Sequence, residues 1–342
     1  MTNGQLEISA LDPLDHDTVD QWLELCQTVD DHDFANFETP SEAELLLGHM
    51  ARPEEVRRLH WVGSVDGSVV SCAEARLYDA DNTHLAGATV KVHPDHRRKG
   101  YARLLLGAIE DQARREERTT VVSWFLKPYE GSGVDGHAVG FAAAQGYGPT
   151  LETAVRRVDL LEVKEDRLDA LYREALAKAE GYRIVSFPDP APDEYAEGIA
   201  YLEGRMYTDM PLGDMDLQPA EITVEKVRAR ERQARRRGLL SLRTIAVHEE
   251  TGTVAAMSQL ETAPGDELIA RQGDTIADPD HRGHRLGLLV KIANQRQLRS
   301  YRPRIRYVHT GNATVNDHMV AVNEAMGYRM LGMAECYQKE LA

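Results

Sequence analysis

The sequence predicts a mixed α/β module that is present twice in one chain. Three observations carry this: a length of 342 residues, a tetrapeptide that recurs half a chain later, and the same order of helical and strand-like segments around each copy. At roughly 150 residues per domain, the length alone favours two domains. The tetrapeptide is Pro94-Asp95-His96-Arg97, repeated as Pro279-Asp280-His281-Arg282, an offset of 185 residues from 94 to 279. Self-similarity at half the chain length is the mark of a duplicated unit.

Each element follows from local pattern. Thr18 to Thr28 and Ser41 to Met50 read as helical segments. His60 to Val65 and Ser68 to Tyr78 read as strands, and the short β-like run Ala88 to Val92 leads into the tetrapeptide. After it, Tyr101, Leu104, Leu105, Ala108 and Ile109 fall on one face at the helical period. Thr119 to Phe125 is the next strand, and a helix of small residues ends at Gly146-Tyr147. The second half repeats the series. Its helices are Asp193 to Met206 and Glu221 to Arg237, and its strands are Leu240 to Val247, Thr253 to Thr262 and Asp274 to Ala277. A helix opened by Leu286, Leu289, Val290 and Ala293, a strand from Arg304 to His309 and a helix ending at Gly327-Tyr328 complete it. A charged helix, Leu160 to Glu180, joins the copies, so the domains are expected at 1–160 and 161–342.

Composition narrows the function. Lys and Arg number 40 against 56 Asp and Glu, a formal net charge of -16. Such a chain repels a phosphate backbone, which argues against nucleic acid as partner. Cys26, Cys72 and Cys336 have no paired spacing, which argues against a disulfide scaffold or zinc site and for a reducing compartment. The first residues have neither a basic nor an apolar signal-peptide region, and no apolar run approaches the roughly 20 residues of a membrane span. A cytoplasmic protein is expected.

The chemistry concentrates at the turn after the tetrapeptide, Arg97-Arg98-Lys99-Gly100-Tyr101-Ala102. A helix start leaves backbone N–H groups unpaired at the positive end of its dipole. Glycine lets a phosphate approach that backbone, and the basic residues add charge, so the turn reads as a pyrophosphate cradle. The Walker and Rossmann glycine patterns are absent. The second copy reads Arg282-Gly283-His284-Arg285-Leu286-Gly287, with Arg285 where Gly100 stands. Two readings stand for it: the shifted glycine still admits a phosphate, or the Arg285 side chain fills the site.

The pattern Arg-x-x-Gly-x-Ala after a strand ending Val-x-Pro, in this element order, resembles motif A of the GNAT acetyltransferases. The resemblance runs through the whole chain, once per half, and is similar to the tandem GNAT type. It implies two tandem GNAT folds, acetyl-CoA held by the loop residues of both copies, and transfer of acetyl to a small amine-bearing molecule. By the same resemblance, a backbone N–H on the strand leading to Val92 or Ile276 polarises the thioester carbonyl. Asn316 and Asn323, in the segment from Thr310 to Tyr328, correspond to helix asparagines that contact the cofactor arm. For each asparagine the alternative is helix capping, as by Asn312, or a satisfied core amide.

An attacking amine must lose a proton, and a carboxylate serves that purpose. Glu74 and Glu261, on the strands before the motif strands, are the candidate catalytic bases, with Asp274 a third. Many GNATs protonate the leaving thiolate with a tyrosine four residues before the Gly-aromatic pair; here Ala142 and Asn323 stand there. The acidic segment Asp209 to Asp216 is placed to receive an ammonium substrate or to be a plain linker. No nucleophile-histidine spacing stands out, which favours direct attack in a ternary complex. The competing functions are acyl-CoA binding without turnover and aminoacyl transfer from tRNA; the acidic charge counts against the latter.

Overall fold

The computed structural model describes residues 5–34, 46, 48, 55–129, 134 and 136–341. The helix expected at Ser41 to Met50 lies, apart from Leu46 and Gly48, outside them. In chain order the elements are β1 (Glu7–Ala10), α1 (His16–Asp33), β2 (Val56–Val65), β3 (Ser68–Tyr78), β4 (Leu85–Val92), α2 (Tyr101–Arg115), β5 (Thr120–Lys127), α3 (His137–Ala144) and β6 (Gly148–Asp159). They continue with α4 (Glu165–Leu176), β7 (Tyr182–Pro188), α5 (Asp193–Asp209), α6 (Val224–Arg236), β8 (Leu240–His248), β9 (Val254–Thr262), β10 (Ile269–Ala277), α7 (Leu286–Tyr301), β11 (Tyr307–Ala313), α8 (Asp317–Ala325) and β12 (Arg329–Glu340). Among the described residues no helix is long and apolar enough to cross a membrane.

Two compact units emerge. The first comprises 1–152, 213–216 and 332–342, the second 153–212 and 217–331. The chain's last strand is therefore part of the first unit, whereas the sequence pattern assigns it to the second half. β12 pairs antiparallel with β5, from Met333 opposite Lys127 to Glu340 opposite Thr120. Conversely, β6 pairs with β11 of the second unit, from Thr153 opposite Ala313 to Asp159 opposite Tyr307. A period-2 pattern sets which face a strand buries, not which strand it joins, so the exchange is invisible to periodicity.

In the first unit the sheet runs β1-β2-β3-β4-β5-β12. One face packs Ala73, Ala75, Leu77 and Ala88 against Leu105, Leu106 and Ile109 of α2. The other packs Val62 and Cys72 against Trp22, Leu25, Cys26 and Val29 of α1. Leu104, expected on the buried face of α2, is 49% exposed; the buried stripe is Tyr101, Leu105, Leu106, Ile109 and Ala113. That stripe keeps the helical spacing of three and four residues, but its centre lies on the Leu105–Leu106 side, which leaves Leu104 at its exposed edge.

The second unit runs β6-β11-β10-β9-β8-β7. Leu242, Ala246, Ala256, Leu260 and Ala270 face Leu286, Leu289, Val290 and Ile292 of α7. Ile245, Val247, Met257 and Ile276 face Ile199 and Leu202 of α5. β8 is buried at seven consecutive positions, as a strand covered on both faces must be.

Candidate active site

In each unit two parallel strands pair briefly and then part. β4 meets β5 at Leu85, Ala86 and Gly87, opposite Thr120, Val121 and Val122, where the register ends. β10 meets β11 at Ile269, Ala270 and Arg271, opposite Tyr307, Val308 and His309, and ends likewise. Parted parallel strands leave backbone N–H and C=O groups facing a cleft in place of a ladder. Val92 and Ile276, the expected carbonyl-polarising positions, stand on the parted segments. β10 also carries a register shift between Gln272 and Thr275 against β9, and β4 has none against β3.

Above each cleft the chain makes the same loop. His93 in the first copy, and Asp278 in the second, accepts a hydrogen bond from the backbone two residues on and starts a 3-10 turn. Arg98 and Gly100 are left-handed, at φ 64° and 87°. In the second copy the left-handed pair is Gly283 and Arg285, at 89° and 54°. Glycine has changed places between the two left-handed positions and the backbone path is kept. The arginine in each pair bears the cost of order 1–2 kcal/mol that a Cβ brings there. α2 and α7 both start without a side-chain cap. A Cβ built on Gly100 or Gly283 meets nothing within 4 Å. Both loops thus present open, uncapped helix entries among basic residues, which fits a diphosphate.

The loop side chains divide their duties. Arg97 donates to the Val92 carbonyl at 3.2 Å and to Asp33 at the end of α1 at 2.8 Å, so it clamps the loop to the fold. Arg282 repeats this with Asp209 at the end of α5, at 2.8 Å. Arg98, Lys99 and Gly100 are exposed, whereas Tyr101 is buried and Ala102 half-buried at the helix start. In the second loop His284 contacts the Lys178 carbonyl at 2.9 Å, Leu286 is buried and Gly287 half-buried. Arg285 donates to Glu174 on α4 at 2.6 Å. Its guanidinium is therefore engaged by a carboxylate of α4.

The candidate bases are not in equivalent places. Glu74 lies opposite Thr89, whereas Glu261 lies opposite Arg271, displaced along the sheet. The register shift in β10 is part of the reason. Glu74 is ion-paired with Arg58 and Arg76, both at 3.3 Å. Glu261 accepts from Gln259 at 3.2 Å, and burial, then Asp189, raise its carboxyl above the usual range. Asp274 stands directly on the parted segment of β10, next to Ile276. It keeps some solvent contact, yet protein crowds it on most sides. This desolvation, with the nearby Glu203 charge, pushes its pKa up to about 6, against the pull of Arg243 and Arg230.

Asp274 adjoins a polar network absent from the sequence reading. Buried Arg243 of β8 donates to Glu203 of α5 at 3.0 Å and lies 3.3 Å from Asp189; Arg230 of α6 reaches Glu203 at 2.9 Å. Ser241 donates to Asp189 at 2.5 Å and accepts from Gln259 at 2.9 Å. The position corresponding to Asp274 in the first copy is Thr89, and nearby Lys91 is bound to Asp30 of α1 at 2.5 Å. The acidic segment before α6 is also engaged: Asp209 pairs with Arg205 and Arg282, and Asp216 accepts from Thr120 at 3.0 Å.

The asparagines part company. Asn316, not Asn312, caps α8, accepting from the Met319 N–H at 3.2 Å. Asn323 is fully buried; its oxygen accepts from Lys291 of α7 at 2.6 Å and its amide donates to Asn312 at 3.1 Å. In the sequence Lys291 is one charge inside the apolar run Leu286 to Ile292, a hint of burial that does not name its partner.

A sheet opened at one parallel strand pair, followed by an uncapped helix entry among basic residues, thus occurs twice in one chain. Residues 17–147 match the acetyltransferase (GNAT) family. A solved tandem GNAT protein from the clavulanic acid biosynthesis pathway is similar at 27% identity, over 98% of each chain, with a TM-score of 0.81. A GCN5-related N-acetyltransferase from Sphaerobacter thermophilus shares the fold at 17% identity, over 98% of this chain and 95% of its own, with a TM-score of 0.67. The GCN5-related glucosamine N-acetyltransferase region of a fungal multi-domain β-N-acetylglucosaminidase shares it at 12% identity, over 99% of this chain and 38% of its own, with a TM-score of 0.69. No curated protein matches by sequence. The match to the GNAT family thus covers residues 17–147, and the chain as a whole is similar in fold to a tandem GNAT protein.

Proposed function

We propose that the protein transfers acetyl from acetyl-CoA to the amine of a small molecule by direct attack, and that the second unit carries the chemistry. The observation that carries this is Asp274, a carboxyl with a pKa of about 6 on the parted strand of an acyl-transfer cleft. A general base is most effective with a pKa near the working pH. The exposed basic residues and left-handed glycines of each loop hold the diphosphate, and acetyl-CoA supplies the activated acyl group. The backbone N–H groups beside Val92 and Ile276 orient and polarise the carbonyl.

The first unit is read as an acyl-CoA-binding module without turnover. It keeps the phosphate loop, but Thr89 replaces the carboxyl and the nearby ammonium of Lys91 is held by Asp30. Release of free thiol from acetyl-CoA, corrected for hydrolysis, across a panel of small primary amines tests the enzyme reading. Amine-dependent release with at least one acceptor is expected. No release above hydrolysis with any of them would leave both units as binding modules.

A further inference from the structure

The two loops follow one backbone path but carry their charge differently. In the first, Arg98 and Lys99 are exposed, and among the described residues neither pairs with a carboxylate. In the second, Gly283 and His284 stand in their places, at the repeat's offset of 185 residues. The two arginines that remain there are both engaged: Arg282 lies 2.8 Å from Asp209, and Arg285 lies 2.6 Å from Glu174. Among the described residues, the second loop therefore has no unpaired permanent cation between 282 and 287. A diphosphate there meets only the charge that the histidines carry.

Those histidines form a cluster. His281, His284 and His248, the last residue of β8, surround Tyr182 at the start of β7, with ring centres 5.7, 5.1 and 5.2 Å from that of the phenol. Each is anchored through Nδ1: His281 to the Tyr182 hydroxyl at 2.7 Å, His284 to the Lys178 carbonyl at 2.9 Å and His248 to the Thr251 hydroxyl at 3.0 Å. The anchor of His284 sets its tautomer. A carbonyl only accepts, so the neutral ring carries its hydrogen on Nδ1 and a bare lone pair on Nε2. Among the described residues Nε2 has no partner, so the next proton goes there. It turns an acceptor, which repels a phosphate oxygen, into a charged donor, which attracts one. The anchor to Lys178 is kept in both states. His284 is also the imidazole at the open helix entry, between Gly283 and the left-handed Arg285 that starts α7.

We propose that the imidazolium of His284 is the charge with which the second loop holds the diphosphate of acyl-CoA, so that this unit binds its cosubstrate more tightly as pH falls. This rests on the reading of both loops as acyl-CoA sites. The groups around the ring are the Tyr182 face of β7, which favours a cation, the imidazoles of His281 and His248, and the Arg285 pair with Glu174 of α4. Asp278 and Asp280 open the turn and add negative charge, so nothing else in the loop offsets that of a diphosphate. The first loop is built the other way. His96, in the place of His281, lies 3.5 Å from the Lys99 ammonium, and burial, then Lys99 and His93, hold it below the ordinary imidazole range. There the charge is permanent and the imidazole neutral. An imidazole ordinarily changes charge between about pH 5 and 8, so affinity should follow pH in the second unit and not in the first.

The probe is S-acetyl dephospho-CoA, whose diphosphate does not titrate near neutrality. The 3′-phosphate of acetyl-CoA, a monoester with a second pKa of about 6, would obscure the result. Calorimetric titration of Gly100→Glu, whose first loop is blocked by a carboxylate, reads the second unit alone. Its affinity is expected to rise about tenfold between about pH 8 and pH 6, the worth of a hydrogen bond from a charged donor. His284→Lys, made in that chain, installs the residue of the first loop and should bind at pH 8 as tightly as His284 does at pH 6. His284→Gln should stay at the weaker level at both. In the parent chain the same titration should resolve one site that follows pH and one that does not, a comparison that holds if a variant misfolds. Affinities within twofold at the two pH values with His284 in place, or an undiminished pH dependence in His284→Lys, overturn the proposal. No binding by Gly100→Glu at either pH, with one site left in the parent, is a separate failure: the second loop is then no acyl-CoA site, and the proposal falls with that reading.

Discussion

Asp274→Asn is expected to lower acetyl transfer by about 10²–10⁴-fold while leaving acetyl-CoA binding intact, the range for loss of a positioned general base. The carboxyl is a base only when ionised, and its pKa is raised to about 6 by burial and Glu203. Transfer by the parent chain should therefore decline as pH falls through about 6, with no matching decline in the residual activity of the variant. Stability moves in the opposite sense. A carboxyl whose folded pKa lies above its unfolded value opposes folding once it is ionised, fully so above about pH 6. The Asn variant should therefore be more stable than the parent at pH 8, by up to about 3 kcal/mol for a shift of roughly two units. The difference should disappear below about pH 4, where both states of the parent are protonated. Urea denaturation at pH 4 and pH 8, beside a pH–rate profile, checks both. An unchanged rate would remove Asp274 from the mechanism, whatever its effect on stability.

The second large effect is expected at the first loop. Gly100→Glu should weaken acetyl-CoA binding by the first unit by about 10²-fold or more, since it places a carboxylate at a helix entry suited to phosphate. Backbone strain alone does not explain such a loss. Gly100 has φ 87°, and a side chain there costs of order 1 kcal/mol in free and bound protein alike. Gly100→Arg separates the two contributions, because Arg285 already adopts the corresponding left-handed conformation in the second copy. The arginine variant should carry the same strain and keep affinity within about tenfold. Calorimetric titration of both variants distinguishes them; equal losses would mean that conformation, not charge, governs the loop.

The loops were legible in the sequence because they are local. A repeated tetrapeptide, a glycine and a run of basic residues lie within ten positions, and the second copy's displaced glycine falls on the other of the two left-handed positions. Most strands and helices were legible for the same reason, from period and punctuation. What could not be read was assembled from distant segments. Arg243, Glu203 and Asp274 come from three elements and Asp189 from the bend after β7, and each alone is an ordinary charged residue. Glu74 and Glu261 looked alike because both lie on the strand before the motif, but register and the shift in β10 set them apart. The exchange of β6 and β12 depends on partner choice, which no period specifies. Asn323 was singled out from its helix, but its partner Lys291 required the packing of α7 against α8.

Titration of the purified chain with acetyl-CoA, read for stoichiometry, bears most directly on the claim that both units are acyl-CoA sites. Two molecules per chain are predicted, with one lost in Gly100→Glu. One molecule, lost entirely in that variant, would contradict the assignment of the second loop, and no binding at all would contradict the acetyl-CoA reading of the protein.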